Sequence, residues 1–243
     1  MSAGANAVPW TALRDEVRDG TGEAVSAFYR LEAEVSGLVG FARTKPALDF
    51  LSGQFQGKTA EGAFDALVVI ATPEETAGGV VPPWRDEAGV VPDAGELVWP
   101  VDDDPARPGC LQVFKNKKRG GRPAETRVEV RERFGRFAWV RCWPTSGRSA
   151  QVRAHLAAAG LPIVNDADYG LPGVTLLLSG LKRGYKGRES ERPLIGYLAL
   201  HLTELTLRHA ETREPFTVSA ELPGDTVIAL KYLRRFAASS GRQ

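Results

Sequence analysis

Cysteine, net charge and long apolar runs are all scarce in this sequence. The two cysteines, Cys110 and Cys142, lack the spacing of metal ligands and allow one disulfide at most, so we expect both to be reduced. No apolar run approaches the roughly 18 residues of a membrane-spanning helix, and the N-terminus lacks the basic and apolar segments of a secretion signal. These absences predict a chain that resides in the cytoplasm and has no membrane span.

The near-neutral charge excludes a uniformly basic surface of the kind that binds nucleic acids. Lysine and arginine together number 31 and acidic residues 30, which leaves a formal net charge of +1. Residues 115–122 and 182–188 are nevertheless locally basic and contain no acid. Composition alone leaves each segment as either a nucleic-acid contact or a solvated loop.

Hydrophobic spacing predicts a mixture of helices and strands in a chain large enough for one large domain or two small ones. Leu48, Leu51 and Phe55 recur at helical spacing after the N-cap candidate Thr44, so this helix should end near Gly57. Further helices are predicted at residues 10–17, at 151–159 and from about 224 onward. Strands are predicted at residues 38–42, 64–70, 198–207 and 216–222, with a hairpin over 125–143.

Prolines and glycines interrupt the pattern between residues 72 and 122, which indicates an elaborate connection or a set of short strands. This region contains the acidic triplet Asp102, Asp103 and Asp104. The triplet could be mistaken for a metal site, but we interpret it as a solvated loop.

Three segments contain most of the residues that could carry chemistry. In the first, residues 29–37, Arg30 and Glu32 precede a Ser36–Gly37 turn, which would place a carboxylate at a sheet edge. Alone, this pair is weak evidence for a catalytic site and is better explained by a surface ion pair. The second segment, residues 144–156, reads Pro-Thr-Ser-Gly-Arg-Ser-Ala-Gln-Val-Arg-Ala-His-Leu, and the third, residues 160–170, reads Gly-Leu-Pro-Ile-Val-Asn-Asp-Ala-Asp-Tyr-Gly.

Together these segments resemble the motifs of the RluA-type pseudouridine synthases. The first is similar to H-R-L-D-x-x-T-S-G, the second to E-T-G-R-T-H-Q-I-R-V-H-L and the third to G-H-P-I-V-G-D-P-L-Y-G. Weaker matches extend the resemblance over nearly everything from Trp10 to Phe236. It implies an α+β fold, a mixed and largely antiparallel sheet with packed helices. It also implies a single catalytic domain over residues 1–243, without a separate N-terminal RNA-binding module.

The resemblance implies an enzyme that isomerises uridine to pseudouridine in ribosomal or transfer RNA. Glu32 would be the catalytic carboxylate, Arg153 its catalytic partner, and Phe64 would stack on the flipped uracil. Other residues would bind the RNA or fix the catalytic loop, namely Arg30, Arg148, Gln151 and His155. The reaction involves no redox change, so neither a cofactor nor a metal is implied. RNA is the expected partner, with no membrane and no obligate protein partner.

Several positions differ from the motifs. The motif histidine, aspartate and threonine are Tyr29, Glu32 and Val35 here. Gly62 and Phe64 replace the lysine and tyrosine of a K-x-Y element, and Ala150 replaces the histidine after G-R-T. The additional methylene of Glu32 displaces its carboxylate by more than about 1 Å, and such a misplacement can cost on the order of a hundredfold in rate. A catalytically silent RNA-binding relative and an unrelated globular enzyme are therefore the alternatives.

Overall fold

A seven-stranded sheet forms the centre of the computed structural model, which describes residues 10–76, 84–115, 120–185, 187 and 190–237. The helices in these residues are α1 (Trp10–Thr21), α2 (Lys45–Gln56), α3 (Gln151–Ala158), α4 (Leu178–Leu181) and α5 (Gly224–Tyr232). The strands are β1 (Ser26–Tyr29), β2 (Ser36–Gly37), β3 (Gly40–Ala42), β4 (Glu61–Val69), β5 (Ala94–Leu97), β6 (Val101–Asp103), β7 (Leu111–Val113), β8 (Thr126–Phe134), β9 (Phe137–Pro144), β10 (Leu200–Arg208) and β11 (Pro215–Ser219). Short 3₁₀ and π-helical turns lie at Pro73–Glu75 and Leu233–Ala237.

The sheet is almost entirely antiparallel. Its strand order is β11-β10-β4-β9-β8-β5, and β2 pairs with β10 as its one parallel neighbour in the described residues. Two small pairs, β1 with β3 and β6 with β7, lie outside this sheet. The fold is therefore α+β with a mixed, largely antiparallel sheet, as the sequence predicts.

Strand β4 lies inside the sheet and is buried on both of its faces, with the one buried acid Asp65 paired to Arg141. Every residue from Ala63 to Val69 is buried, and Leu67 and Val68 are fully inaccessible to solvent. Side chains of α3, of α5 and of the π-helical turn join the same core, among them Leu156, Leu230 and Leu233. A core of this kind provides a rigid platform for residues at its edge.

Most of the predicted elements are present, and their local chemistry explains them. The Thr44 hydroxyl accepts a hydrogen bond from the Ala47 amide at the start of α2, and Gly57 ends that helix. The predicted hairpin is β8 and β9. Cys110 and Cys142 are free and buried. None of the helices in the described ranges combines the length and apolar character that a membrane crossing requires.

Two local predictions are wrong. Ser36 and Gly37 form strand β2 rather than a turn, because they pair in parallel with His201 and Leu202 of β10. The acidic triplet is not simply a loop. Asp102 and Asp103 lie in β6, and the side chains of both approach Arg122.

Gly37 ties the segment that follows the Glu32 loop to the sheet, and only glycine fits there. Its φ is +126°, and a Cβ would lie 2.4 Å from the Leu202 carbonyl oxygen. We expect Gly37→Ala to lower the free energy of unfolding by on the order of 3 kcal/mol. Gly53→Ala in α2 is the matched control, since a Cβ at Gly53 meets no atom within 4 Å and should be neutral or stabilising. Urea denaturation measures both free energies of unfolding, and an equal decrease in the two variants would contradict the conclusion that only glycine fits at position 37.

Candidate active site

The loop that carries Glu32 connects β1 to β2 and is held at the edge of the sheet. Ser36, directly after the loop, shares a hydrogen bond of 2.8 Å with the Nδ1 atom of His201 on β10. The backbone of Val35 closes the loop by donating to the Glu32 carbonyl at 3.1 Å. The sheet edge therefore fixes the C-terminal side of this loop, as the sequence analysis expects.

The Glu32 carboxylate makes two charge-assisted hydrogen bonds to the N-terminal part of α3. Its Oε1 atom accepts from the Ala150 amide at 2.6 Å, and its Oε2 atom accepts from Arg153 Nη1 at 2.8 Å. Ala150 precedes α3 with a left-handed φ of +59°. A helix N-terminus favours an anion, so the helix and the arginine stabilise the same carboxylate. The ion pair predicted between residues 32 and 153 is present.

Arg153 is surrounded by carboxylates rather than by one partner. Asp166 binds it in a bidentate manner, with Nε at 2.9 Å and Nη2 at 2.6 Å. Asp168 accepts from Nη2 at 2.8 Å, and Glu34 lies 3.5 Å from Nη1. Burial opposes the charge of Arg153, but its bonds to Asp166 and Glu32 outweigh that effect and raise the pKa of the guanidinium above its usual value.

Asp166 also shapes the turn that follows it. Its Oδ1 atom accepts from the backbone amides of Asp168 and Tyr169, both at 3.0 Å. This turn places the Tyr169 ring beside Arg153, with the guanidinium carbon 5.2 Å from the ring centroid. The sequence analysis did not assign roles to Asp166, Asp168, Glu34 or Tyr169. The sequence signal that could have identified the acids is their position, since Glu34 lies in the first motif segment and Asp166 and Asp168 in the third.

The C-terminal end of α3 is also matched to a charge. Arg85 donates from Nη1 to the Ala159 carbonyl at 3.0 Å and from Nη2 to the Gly160 carbonyl at 3.3 Å. Burial lowers the pKa of Arg85. A cation at this end complements the helix dipole, as Glu32 does at the other end.

Gln151 and His155 do not reach solvent, so their predicted RNA contacts are corrected to roles in the fold. The Gln151 amide nitrogen donates to the Glu125 carbonyl at 2.9 Å, and its oxygen accepts from Ser146. The His155 ring is fully buried between the Thr126 hydroxyl and the Trp99 carbonyl, each at 2.9 Å. Burial lowers the pKa of His155. Both side chains attach α3 to the sheet.

Phe64 is on the sheet face that carries α3 but lies beneath the surface. It is 7% exposed and packs in the main hydrophobic core, with Leu202 and Cys142 as its cross-strand neighbours. The prediction that it stacks on a uracil fails in this conformation, because no open ring face is available. Tyr29 is nearer the surface, but its ring stacks on Phe55 at 4.7 Å. Burial and the charge of Glu32 raise the pKa of Tyr29 to about 12.

The remaining cations predicted to bind RNA have different environments. Arg148 is half-buried and donates to the Pro123 carbonyl at 2.6 Å, whereas Arg30 is exposed. Residues 116–119 of the first basic segment lie outside the described residues, as do 186 and 188 of the second. In the second segment, Lys182 and Arg183 are exposed. No cluster of acids, histidines and cysteines in the described residues is arranged to hold a metal ion.

Removing the Arg153 charge should be severe because it leaves four carboxylates facing one another. We expect Arg153→Met to lower the free energy of unfolding by about 3–5 kcal/mol at neutral pH, the range typical of a broken buried pair. Acid protonates the stranded carboxylates, so the difference from the parent should shrink as the pH falls towards about 4. Urea denaturation at both pH values measures this. If the free energy of unfolding of Arg153→Met were lower than that of the parent by the same amount at both pH values, lost packing rather than lost charge would be the cause.

Known proteins share this fold and these sequence features. The family model described as RNA pseudouridylate synthase matches residues 7–158. The protein named ribosomal large subunit pseudouridine synthase D of Neisseria meningitidis serogroup A is 29% identical over 206 residues, 85% of this chain and 47% of its own length. Synthase C of Escherichia coli K12 is 27% identical over 229 residues, 92% of this chain and 59% of its own. The chain spans about half the length of the curated relatives it matches.

Two solved structures show the same fold. Human RNA pseudouridylate synthase domain containing 4 has a TM-score of 0.63 and 20% identity, and the match covers 93% of this chain and 83% of that one. Human RNA pseudouridylate synthase domain containing 1 has a TM-score of 0.62, also at 20% identity, over 89% of this chain and 77% of that one. The family model alone matches more than half of the sequence. The chain belongs to the RNA pseudouridylate synthase family.

Proposed function

We propose that this chain isomerises uridine to pseudouridine in RNA. The observation that carries the proposal is the carboxylate of Glu32, held at the N-terminus of α3 by the Ala150 amide and by Arg153. In this reaction the N1–C1′ bond of uridine breaks and a C5–C1′ bond forms, while C5 loses a proton and N1 gains one. The reaction needs a positioned carboxylate and a site for a flipped base, but no electron acceptor.

The geometry suggests distinct roles for Glu32 and Arg153. The Glu32 side chain is 22% exposed, so a substrate can approach it, whereas that of Arg153 is only 4% exposed. We therefore assign Glu32 to the reacting atoms and Arg153 to a positioning role that acts through Glu32. Arg148, Gln151 and His155 support this arrangement by anchoring the segment before α3 and α3 itself.

The RNA substrate and the cellular setting are also part of the proposal. Several relatives are named ribosomal large subunit pseudouridine synthases, which makes large-subunit ribosomal RNA the first substrate to test and transfer RNA the second. A single domain over residues 1–243, cytoplasmic residence and independence from protein partners stay predictions. So does RNA contact by exposed cations, including Arg30, Lys182 and Arg183.

A catalytically silent RNA-binding relative is the second candidate function. The observation in its favour is the burial of Phe64, which leaves no aromatic face for a flipped base in this conformation. A silent relative would bind RNA without changing it.

Tritium release from C5-labelled uridine in a ribosomal RNA transcript tests the proposal directly, because isomerisation removes the C5 hydrogen. We expect release by the parent and a loss on the order of a hundredfold or more in Glu32→Gln, which removes the charge of the positioned carboxylate. Glu23→Gln is the control, because Glu23 forms an exposed surface pair with Arg43. RNA binding by the parent without any release would select the silent relative.

Glu32→Asp separates the two functions by the sign of its effect. A shorter side chain cannot keep both the 2.6 Å bond to Ala150 and the 2.8 Å bond to Arg153 without movement of the loop. An enzyme built around glutamate should therefore lose turnover, by on the order of a hundredfold. A relative silenced by its longer carboxylate would instead gain activity, because aspartate restores the carboxylate of the motif, whereas one silenced by the burial of Phe64 would stay inactive. Initial rates of tritium release measure either outcome.

A further inference from the structure

Arg153 has no hydrogen-bond donor left for a substrate. A guanidinium has five N–H groups, and here the five are directed at the protein's own carboxylates. Nε and one Nη2 hydrogen face Asp166, and the other Nη2 hydrogen faces Asp168. The two Nη1 hydrogens face Glu32 and Glu34. An RNA phosphate could bind Arg153 only by displacing one of these acids.

The surroundings of Arg153 are also strongly anionic. Four carboxylates share one guanidinium, which leaves an excess of three negative charges. Arg107 donates from Nη1 to the Asp168 carbonyl at 2.9 Å, but Asp104 pairs with its Nε at 2.8 Å, so these two residues together add no net charge. Two of the four acids are accessible, Glu34 with a side chain 59% exposed and Asp168 with one 43% exposed. These two residues form an acidic rim beside Glu32.

Asp168 differs from the family motif. Residues 165–170 resemble the G-D-P-L-Y-G part of the motif, which has leucine at the place of Asp168. A leucine there would leave one Nη2 hydrogen of Arg153 open at the surface. The aspartate instead accepts a hydrogen bond from that Nη2 group and adds a negative charge at the surface.

We infer that Glu34 and Asp168 are specificity-determining residues that keep RNA phosphates away from Arg153. The target nucleotide is then recognised through its base and ribose, and phosphates of the RNA are excluded from the acidic rim. This inference rests on the proposed function, since it concerns RNA at the same site. Its physical basis is repulsion between like charges that are only partly screened by solvent.

Neutral, isosteric replacement of the rim tests the inference by equilibrium binding, without any need for turnover. Fluorescence anisotropy with a short, labelled, uridine-containing RNA measures the affinity of Asp168→Asn and Glu34→Gln. We expect each variant to bind roughly three- to tenfold more tightly than the parent at low salt. The gain should vanish near 1 M salt, where the screening length is only about 3 Å.

Glu211→Gln is the matched control, because it makes the same change in net charge on an exposed residue of the β10–β11 turn, outside the Arg153 network. Its affinity should equal that of the parent. Thermal unfolding of every variant establishes that the fold is retained. The inference would be overturned if Asp168→Asn bound RNA only as tightly as Glu211→Gln or more weakly than the parent. It would also be overturned if the higher affinity of Asp168→Asn persisted at 1 M salt.

A chemically neutral linkage in the RNA provides the complementary test. Replacing the phosphates that flank the uridine with methylphosphonates removes the charge that the rim is proposed to repel. The parent should gain more affinity from this replacement than Asp168→Asn does, and equal gains would overturn the inference.

If parent and variants all fail to bind RNA, the proposed function fails together with the inference. If the parent binds and the rim variants do not differ from it, the inference alone fails.

Discussion

One buried arginine shared by four carboxylates organises the candidate site. Arg153 contacts the loop before β2 through Glu32 and Glu34, and the turn after Ile163 through Asp166 and Asp168. Burying a charge is costly unless it is paired and its hydrogen bonds are complete. Because the five N–H groups are directional, they specify the positions of the acids around them. The loop, the helix and the turn thus become one rigid unit, although 136 residues separate Glu32 from Asp168.

Helix α3 can carry this unit because charges stabilise both of its ends. With only eight residues, the helix would be marginal in isolation. Glu32 is placed at its N-terminus, and Arg85 binds the carbonyls at its C-terminus. Gln151 binds Glu125 just before β8, and His155 binds Thr126 in β8 and the carbonyl of Trp99 after β5, so both attach the buried side of the helix to the sheet. Gln151 and His155, which match residues of the family motif, therefore stabilise the fold.

The sequence predicts the elements well where local chemistry determines them. Thr44, Pro46 and Gly57 specify the ends of α2, and the alternation of Val128 and Val130 with charged residues indicates strand β8 of the hairpin. The pair of Glu32 and Arg153 was also predictable, because two separate motifs contained them. What failed depends on tertiary contacts. Ser36 and Gly37 have turn chemistry but are captured as a strand by the open edge of β10, a non-local pairing with no sequence signal.

The burial of individual polar and aromatic residues could not be predicted from the sequence either. Gln151 and His155 carry donors and acceptors suited to RNA, and only the packed fold shows that Thr126, Glu125 and Trp99 use them. Phe64 is an aromatic residue on the correct face, but its exposure depends on how closely Leu202 and the rest of the core pack around it. Residue type therefore predicts what a side chain could do, whereas packing decides what it can reach.

Two of the departures from the family motifs, Glu32 and Asp168, meet at Arg153, whereas Gly62 and Phe64 lie on β4. Glu32 stands where the motif has aspartate, and its carboxylate accepts from the backbone amide of Ala150, a bond that does not depend on the side chain at position 150. Asp168 stands where the motif has leucine, and it completes the shell of Arg153. A buried charge without a partner would cost several kcal/mol. Here Arg153 binds Asp166, Glu32 and Asp168 and lies 3.5 Å from Glu34, so the longer acid and Asp168 both fit around one buried guanidinium.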